Sequence, residues 1–171
     1  MNLNEILDAK EARWNQKLAL SKEENRCVVS LTLRMPLELR LTEEAKMALS
    51  IAKEEVFSLL KNAFRFVSFK GVFSSADGPY ALFTVSGEGE KIKKTLVRFE
   101  EESRFADLID ADLMTEAGDE IPRLAVGGKE RKCVVCGKRD GRSCIVGRAH
   151  SREITLNAFS QILQKRMREG E

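Results

Sequence analysis

Asp110-Ala111-Asp112 sets two carboxylates two residues apart in an apolar run, with Leu108-Ile109 before them and Leu113-Met114 after. The run predicts a strand, on which residues i and i+2 point to the same side. Both carboxylates then project together. In apolar surroundings they repel each other and are expensive to desolvate. A divalent cation removes that cost, and Mg2+ favours one or two carboxylates completed by phosphate oxygens. This donor set suits displacement at one phosphorus of a polyphosphate. A solvated sheet face, with Ala111 turned inward, accounts for the same short pattern. Asp107 falls on the opposite strand face unless the strand bends.

The second group is Cys133-x-x-Cys136, then Cys144, then His150, the single histidine of the chain. Cys-x-x-Cys lets two thiolates converge on one ion, and a later Cys and His complete a tetrahedron, which points to structural Zn2+. Lys129, Arg131, Lys132, Lys138, Arg139, Arg142 and Arg148 surround the group and offset its charge. Reduced thiols in a loop, or a basic polyphosphate-binding loop with incidental cysteines, are the alternatives. Cys27 stands alone in an apolar run and reads as core.

Lys10, Arg13 and Lys17 share one helical face. A solvated amphipathic face is the simpler reading, and a phosphate contact is the functional one. Asp77-Gly78-Pro79 reads as a turn, in which Gly also permits close backbone approach to a ligand.

The 171 residues carry a net charge of +2 and are 43% hydrophobic and 33% charged. A near-neutral chain is unsuited to a partner recognised by bulk charge, such as duplex DNA, so no nucleic acid is expected. No apolar run approaches the roughly 20 residues of a membrane span, so no membrane is expected either. The N-terminus shows no secretory pattern, which makes the cytoplasm the expected location, with thiols reduced or metal-bound.

The elements that must position these groups follow from periodicity. Residues 3–20 predict a helix and 26–34 a strand that Pro36 ends. Thr42 caps a helix over about 43–62, with Ala45, Leu49, Ala52, Val56, Leu59 and Leu60 inward. Residues 64–73 and 80–86 predict a hairpin, 89–103 a helix and 107–115 a strand, with a return strand over 120–124. Residues 127–150 look irregular, and Ser151 caps a last helix. The order strand, helix, strand, strand, helix, strand is the split β-α-β arrangement. The expected fold is thus α+β: a ferredoxin-like antiparallel sheet with flanking helices and a Cys/His-rich C-terminal segment. Residues 1–126 form the expected core with its N-terminal helix, and 127–171 the Cys/His-rich segment with the last helix.

Taken together, these segments resemble the holo-citrate lyase synthases, the apo-citrate lyase phosphoribosyl-dephospho-CoA transferases. The likeness lies in Ile6 to Gln16, in Val29-Ser30-Leu31-Thr32-Leu33 with Pro36, in Asp110 to Gly118, and in Arg131 to Cys136 with Cys144 and Arg148 to Ser151. Where the family has His-Pro-Leu-Gly-Arg, this chain has Ser103-Arg104-Phe105-Ala106-Asp107, so it reads as a divergent member. The resemblance implies transfer of a phosphoribosyl-dephospho-CoA group from triphosphoribosyl-dephospho-CoA to a serine of the acyl carrier subunit of citrate lyase, with release of diphosphate. Asp110 and Asp112 would hold the divalent cation, with Arg104 beside them in the catalytic set. Arg148 and Arg13 would contact the precursor. An acidic carrier would be steered by Lys10, Arg13 and Lys17, or by Lys138, Arg139 and Arg142, the latter set being favoured. The alternatives are a nucleotidyltransferase with another acceptor and a zinc-stabilised binding module.

Overall fold

The apolar, β-branched run Cys27–Leu33 forms the central strand β1, almost wholly buried. The structure, a computed structural model, describes residues 3–137 and 140–169. Before β1 runs helix α1, Leu3–Glu24. After it come a short helix α2, Leu37–Arg40, and the long helix α3, Glu43–Ala63. The hairpin strands β2 and β3 are Val67–Ser75 and Gly78–Val85. Helix α4, Gly89–Glu102, leads to strand β4, Ile109–Met114. Helices α5, Gly141–Val146, and α6, Arg152–Arg168, complete the chain.

The four strands form one sheet in the order β2-β3-β1-β4, and every pairing is antiparallel. This is the expected split β-α-β fold. Period-2 alternation divides the sheet into two faces. Val29, Leu31, Leu33, Ala81, Phe83, Val85, Ile109, Ala111 and Leu113 turn to one side and join a single core with α3, α4 and α6. Thr42 caps α3, accepting from the Ala45 N–H at 3.3 Å, and so starts the stripe Ala45, Ala48, Leu49, Ala52, Val56 and Leu60 in register with that face. Ser151 caps α6 in the same way, and Phe159 and Leu163 of α6 enter the same core.

The other face is covered by α1. Here Val28, Tyr80, Leu82 and Met114 form a smaller cluster with Leu18, Leu20 and Phe73. Among the described residues no helix is long and apolar enough to cross a membrane.

Strand β4 lies at the sheet edge, and its outer backbone groups would be open to other chains. They are all taken. The Ala111 N–H donates to Glu100 at 2.6 Å, and its carbonyl accepts from Lys93 at 2.8 Å. The Ile109 carbonyl accepts from Arg131 at 2.7 Å, and that of Leu113 accepts from the Ile121 N–H at 3.3 Å.

Three local expectations change. Residues 64–66 precede the strand rather than belong to it. The return strand over 120–124 reduces to one bridge, Met114 with Glu120. Pro122 has no N–H to extend a ladder, and Arg123–Val126 instead forms a 3-10 turn. The segment expected to be irregular contains α5, because Asp140 caps it, accepting from the Ser143 N–H at 2.9 Å.

Glu100 and Arg131 are a buried pair at 2.5 Å, and removing Glu100 breaks it and leaves the buried Ala111 N–H without its acceptor. Glu100→Ala should therefore lower unfolding free energy by about 3–5 kcal/mol in urea denaturation, a value typical of breaking a buried pair.

Candidate active site and metal cluster

Asp110 and Asp112 point to the face covered by α1, opposite Thr32 and Ser30 of β1 respectively. The expected juxtaposition of the two carboxylates is present. Their surroundings differ. Asp110 pairs with Arg131 at 3.0 Å. Asp112 has no hydrogen bond or ion pair with any described residue and is half-buried. Its carboxyl is pushed up to about 6, first by burial and then by the charge of Asp110, against the pull of Lys93 and Lys17.

Helix α1 reaches this face with its polar side. Leu3, Leu7 and Trp14 are exposed, whereas Lys17 and Ser21 are buried. The basic face is therefore not a solvated one: Lys10 stays in water, Arg13 is half-buried and Lys17 is buried. Each inward group finds a partner. Lys17 pairs with Glu120 at 2.6 Å, and the Tyr80 hydroxyl donates to Gln16 at 2.7 Å. Thr84 donates to Glu24 at 2.7 Å.

Arg13 pairs with Asp77 at 2.9 Å and lies over the Tyr80 ring. Asp77 sits in the turn between β2 and β3 and is buried, with one carboxylate oxygen unpartnered. Arg40 donates to the Asp77 carbonyl at 3.0 Å and to the Met35 carbonyl at 2.7 Å. Gly78 at φ 109 lets this turn close on Arg40, since a Cβ there would stand 3.1 Å from the Arg40 side chain. Burial lowers the Arg40 pKa, while Asp77 and Asp110 oppose the shift, so the guanidinium is within electrostatic reach of both. Lys17, Lys93, Arg40 and Arg131 thus form a cationic surround for Asp110 and Asp112, with Arg13 on the neighbouring Asp77.

The expectation that Arg104 joins the aspartates is not met. Its guanidinium lies 4.7 Å from the centroid of the Phe105 ring, which is buried in the core on the other side of the sheet, and it acts on Glu169 at the end of α6. Arg148 lies elsewhere again, lining a cavity of about 540 Å3 between the Cys/His segment and α6. Neither that cavity nor a smaller one of about 290 Å3 is lined by Asp110 or Asp112, but Arg34 lines both. Lys138 and Arg139 lie outside the described residues. Arg34, Arg40, Lys93 and Glu100 had not been singled out. The alternation Ser30, Thr32, Arg34 carries a signal for the first. The other three depend on contacts distant in sequence.

The Cys133, Cys136, Cys144 and His150 ligand atoms all lie within 4.8 Å of one another. Cys133 Sγ is 3.4 Å from His150 Nε2, and Cys136 Sγ is 3.9 Å from Cys144 Sγ. A tetrahedral zinc with Zn–S near 2.3 Å requires S–S edges of about 3.8 Å, whereas a disulfide requires about 2.05 Å. The geometry is that of a closed metal site such as one for zinc. Burial, followed by hydrogen bonds with Cys133 and Cys136, pushes the Cys144 thiol up to about 11 without an ion. Burial, then Glu116, pushes Cys27 up to about 12, in keeping with its reading as a core residue.

Residues 1–166 match the family described as apo-citrate lyase phosphoribosyl-dephospho-CoA transferase. The chain belongs to this family. It is 26% identical over 164 residues to Protein CitXG of Leuconostoc mesenteroides subsp. cremoris, covering 95% of this chain and 34% of that protein. It therefore spans about a third of that relative's length. A probable apo-citrate lyase phosphoribosyl-dephospho-CoA transferase of Vibrio cholerae serotype O1 is 26% identical over 164 residues, 95% of this chain and 91% of that one. The transferase of this name from Citrobacter koseri is 20% identical over 151 residues, 88% of this chain and 82% of that one. Membership of a family of transferases makes the chain an enzyme.

Two outcomes follow for this member of the family. The folded-state pKa of Asp112 lies above its ordinary value, so ionised Asp112 costs stability above about pH 6 and nothing below about pH 4, where it is protonated folded or unfolded. Asp112→Asn should raise the melting temperature in neutral, magnesium-free buffer, and the gain should vanish in acid. Elemental analysis should also find about one zinc per chain, falling in Cys136→Ser. Native thiol labelling that modifies Cys133 and Cys144 as fast as a free thiol would contradict a closed site.

Proposed function

We propose that the chain transfers the phosphoribosyl-dephospho-CoA group from triphosphoribosyl-dephospho-CoA to a serine hydroxyl of the acyl carrier subunit of citrate lyase. The serine oxygen bonds to the phosphorus nearest the ribose, the hydroxyl loses its proton, and diphosphate departs. The observation that carries this reading is Asp112: a half-buried carboxylate with no hydrogen bond or ion pair to a described residue, beside Asp110 and within a cationic surround.

Asp110 and Asp112 are the residues that would hold Mg2+, which supplies charge neutralisation for the triphosphate and for diphosphate departure. The residues themselves do the positioning. Arg13 and Arg40, fixed on the β2–β3 turn by Asp77, present guanidinium groups to phosphate oxygens. Lys17 adds a buried cation beside Asp112. Thr32 and Ser30 keep the neighbouring strand surface polar beside the two carboxylates.

Incubating the protein with the precursor, Mg2+ and apo carrier should raise the carrier's intact mass by the transferred group. Asp110→Asn and Asp112→Asn should each reduce the rate by about 100-fold or more while the melting transition is retained. Wild-type rates in both variants would remove these residues from the site. An unmodified carrier alongside modification of a different acceptor would identify a nucleotidyltransferase of other specificity.

Recognition of the acidic carrier is proposed to be electrostatic, through the basic surface around the site, including Lys10 and Arg142. The KM for the carrier should then rise with salt, and charge reversal at Lys10 and Arg142 should raise it more than the KM for the precursor. Insensitivity to both changes would indicate an apolar docking surface.

A further inference from the structure

We propose that the cavity between the Cys/His segment and α6 holds the pantetheine arm of the dephospho-CoA moiety, with Arg34 binding the adjoining phosphate. This deepens the proposed function and rests on it.

The walls carry the first part of the case. Pro36, Val134, Val135, Ile145, Leu156 and Phe159 make an apolar lining. At about 540 Å3 the cavity falls within the roughly 300–1,000 Å3 of small-molecule sites. Its charged side chains are of one sign: Arg34, Arg148 and Arg152, the last paired with Glu38, line it, and no Asp or Glu among the described residues does. An apolar slot with cationic edges fits a ligand made of an aliphatic chain ending in phosphate. Pantetheine is such a chain, with methylene and gem-dimethyl groups for the walls and two amides for Ser151 and Thr155. Purine recognition would call for side-chain amides or paired rings, yet the lining includes no Asn or Gln and one aromatic, Phe159.

Arg34 carries the second part. It is half-buried and has no carboxylate of a described residue within ion-pair distance. Its hydrogen bond to a described group is a long one, 3.4 Å to the Asp107 carbonyl. Burial, then the nearby charge of Arg131, lowers its pKa, with Asp110 and Asp107 opposing the shift. Burial of a cation that no carboxylate directly pairs is costly, and a bound anion offsets that cost. Gly141 makes room for it, since a Cβ there would lie 2.7 Å from Arg34 Nη2.

Position carries the third part. Arg34 lines the smaller cavity together with Arg131, and Arg131 reaches Asp110 at 3.0 Å. The smaller cavity is of mixed charge, with Glu100, Glu101, Asp107 and Glu130 beside its basic residues, so a molecule with its arm in the larger cavity and its phosphate on Arg34 reaches toward Asp110 by way of Arg34 and Arg131.

The test uses the full-length, zinc-loaded chain and two probes, 4′-phosphopantetheine and ADP, in titration calorimetry. Wild type should bind both. Leu156→Trp and Val135→Trp fill the cavity and should weaken 4′-phosphopantetheine by about tenfold or more, with ADP altered less than about twofold. Arg34→Gln should weaken 4′-phosphopantetheine by about tenfold. Unchanged 4′-phosphopantetheine binding in folded tryptophan variants, or loss confined to ADP, overturns the assignment. So does a wild type that binds no 4′-phosphopantetheine. Should both tryptophan variants fail to fold, a photoreactive group on the pantetheine end serves with wild type: labelling within 134–135 or 155–159 supports the proposal, and labelling elsewhere refutes it. Transfer by Leu156→Trp with an unchanged KM for the precursor rejects the cavity and leaves the proposed function standing. Pantetheine binding intact in a wild type that modifies no carrier rejects the function instead.

Discussion

Arg131 is the contact on which the rest of the arrangement depends. One guanidinium binds the Ile109 carbonyl of β4, the Glu100 carboxylate of α4 and the Asp110 carboxylate on the opposite face. It also begins the Cys/His segment. The edge strand and the helix behind it are therefore tied by one side chain to the chain that enters the Cys/His cluster. Burial pushes Glu100 up to about 7, while Arg131 opposes that shift. Such a pair is weak evidence of net stability, because desolvation offsets its attraction. What it supplies is position: it fixes where β4 ends and where Asp110 stands.

Helix α1 shows the same preference for position over cohesion. It places Arg13, Gln16, Lys17 and Glu24 against the sheet and leaves Leu3, Leu7 and Trp14 in solvent. An ordinary covering helix would do the reverse. Each inward polar group requires a partner, and each has one. The interface between α1 and the sheet thus combines ordered polar pairs with the small apolar cluster around Leu18 and Leu20.

Much of this was legible in the sequence, for physical reasons. Alternation about Ala111 set both aspartates on one face, and helical stripes such as Ala45, Leu49, Ala52 and Val56 gave the element order. The Cys and His spacing foretold their convergence. The failures share a cause. Arg104 stands close to β4 in sequence, but the buried Phe105 beside it turns the chain toward the core on the far side. Lys17 resembles Lys10 in periodicity, yet Glu120 draws one inward and nothing comparable draws the other. Lys93 and Glu100 lie on α4 in a pattern that gives no hint of their bonds to Ala111. Partners remote in the chain decide these positions, and periodicity does not encode them.

The alternation of β4 also bears on how the strand finds its place. Slipping β4 by one residue against β1 would carry Asp110 and Asp112 into the core and put Ile109, Ala111 and Leu113 in their stead. It would also bring side chains where Glu100, Lys93 and Arg131 expect backbone atoms. A misaligned strand thus meets two carboxylates in an apolar interior and three charged groups with nothing to bind. The same two carboxylates that face α1 therefore disfavour the wrong alignment of β4.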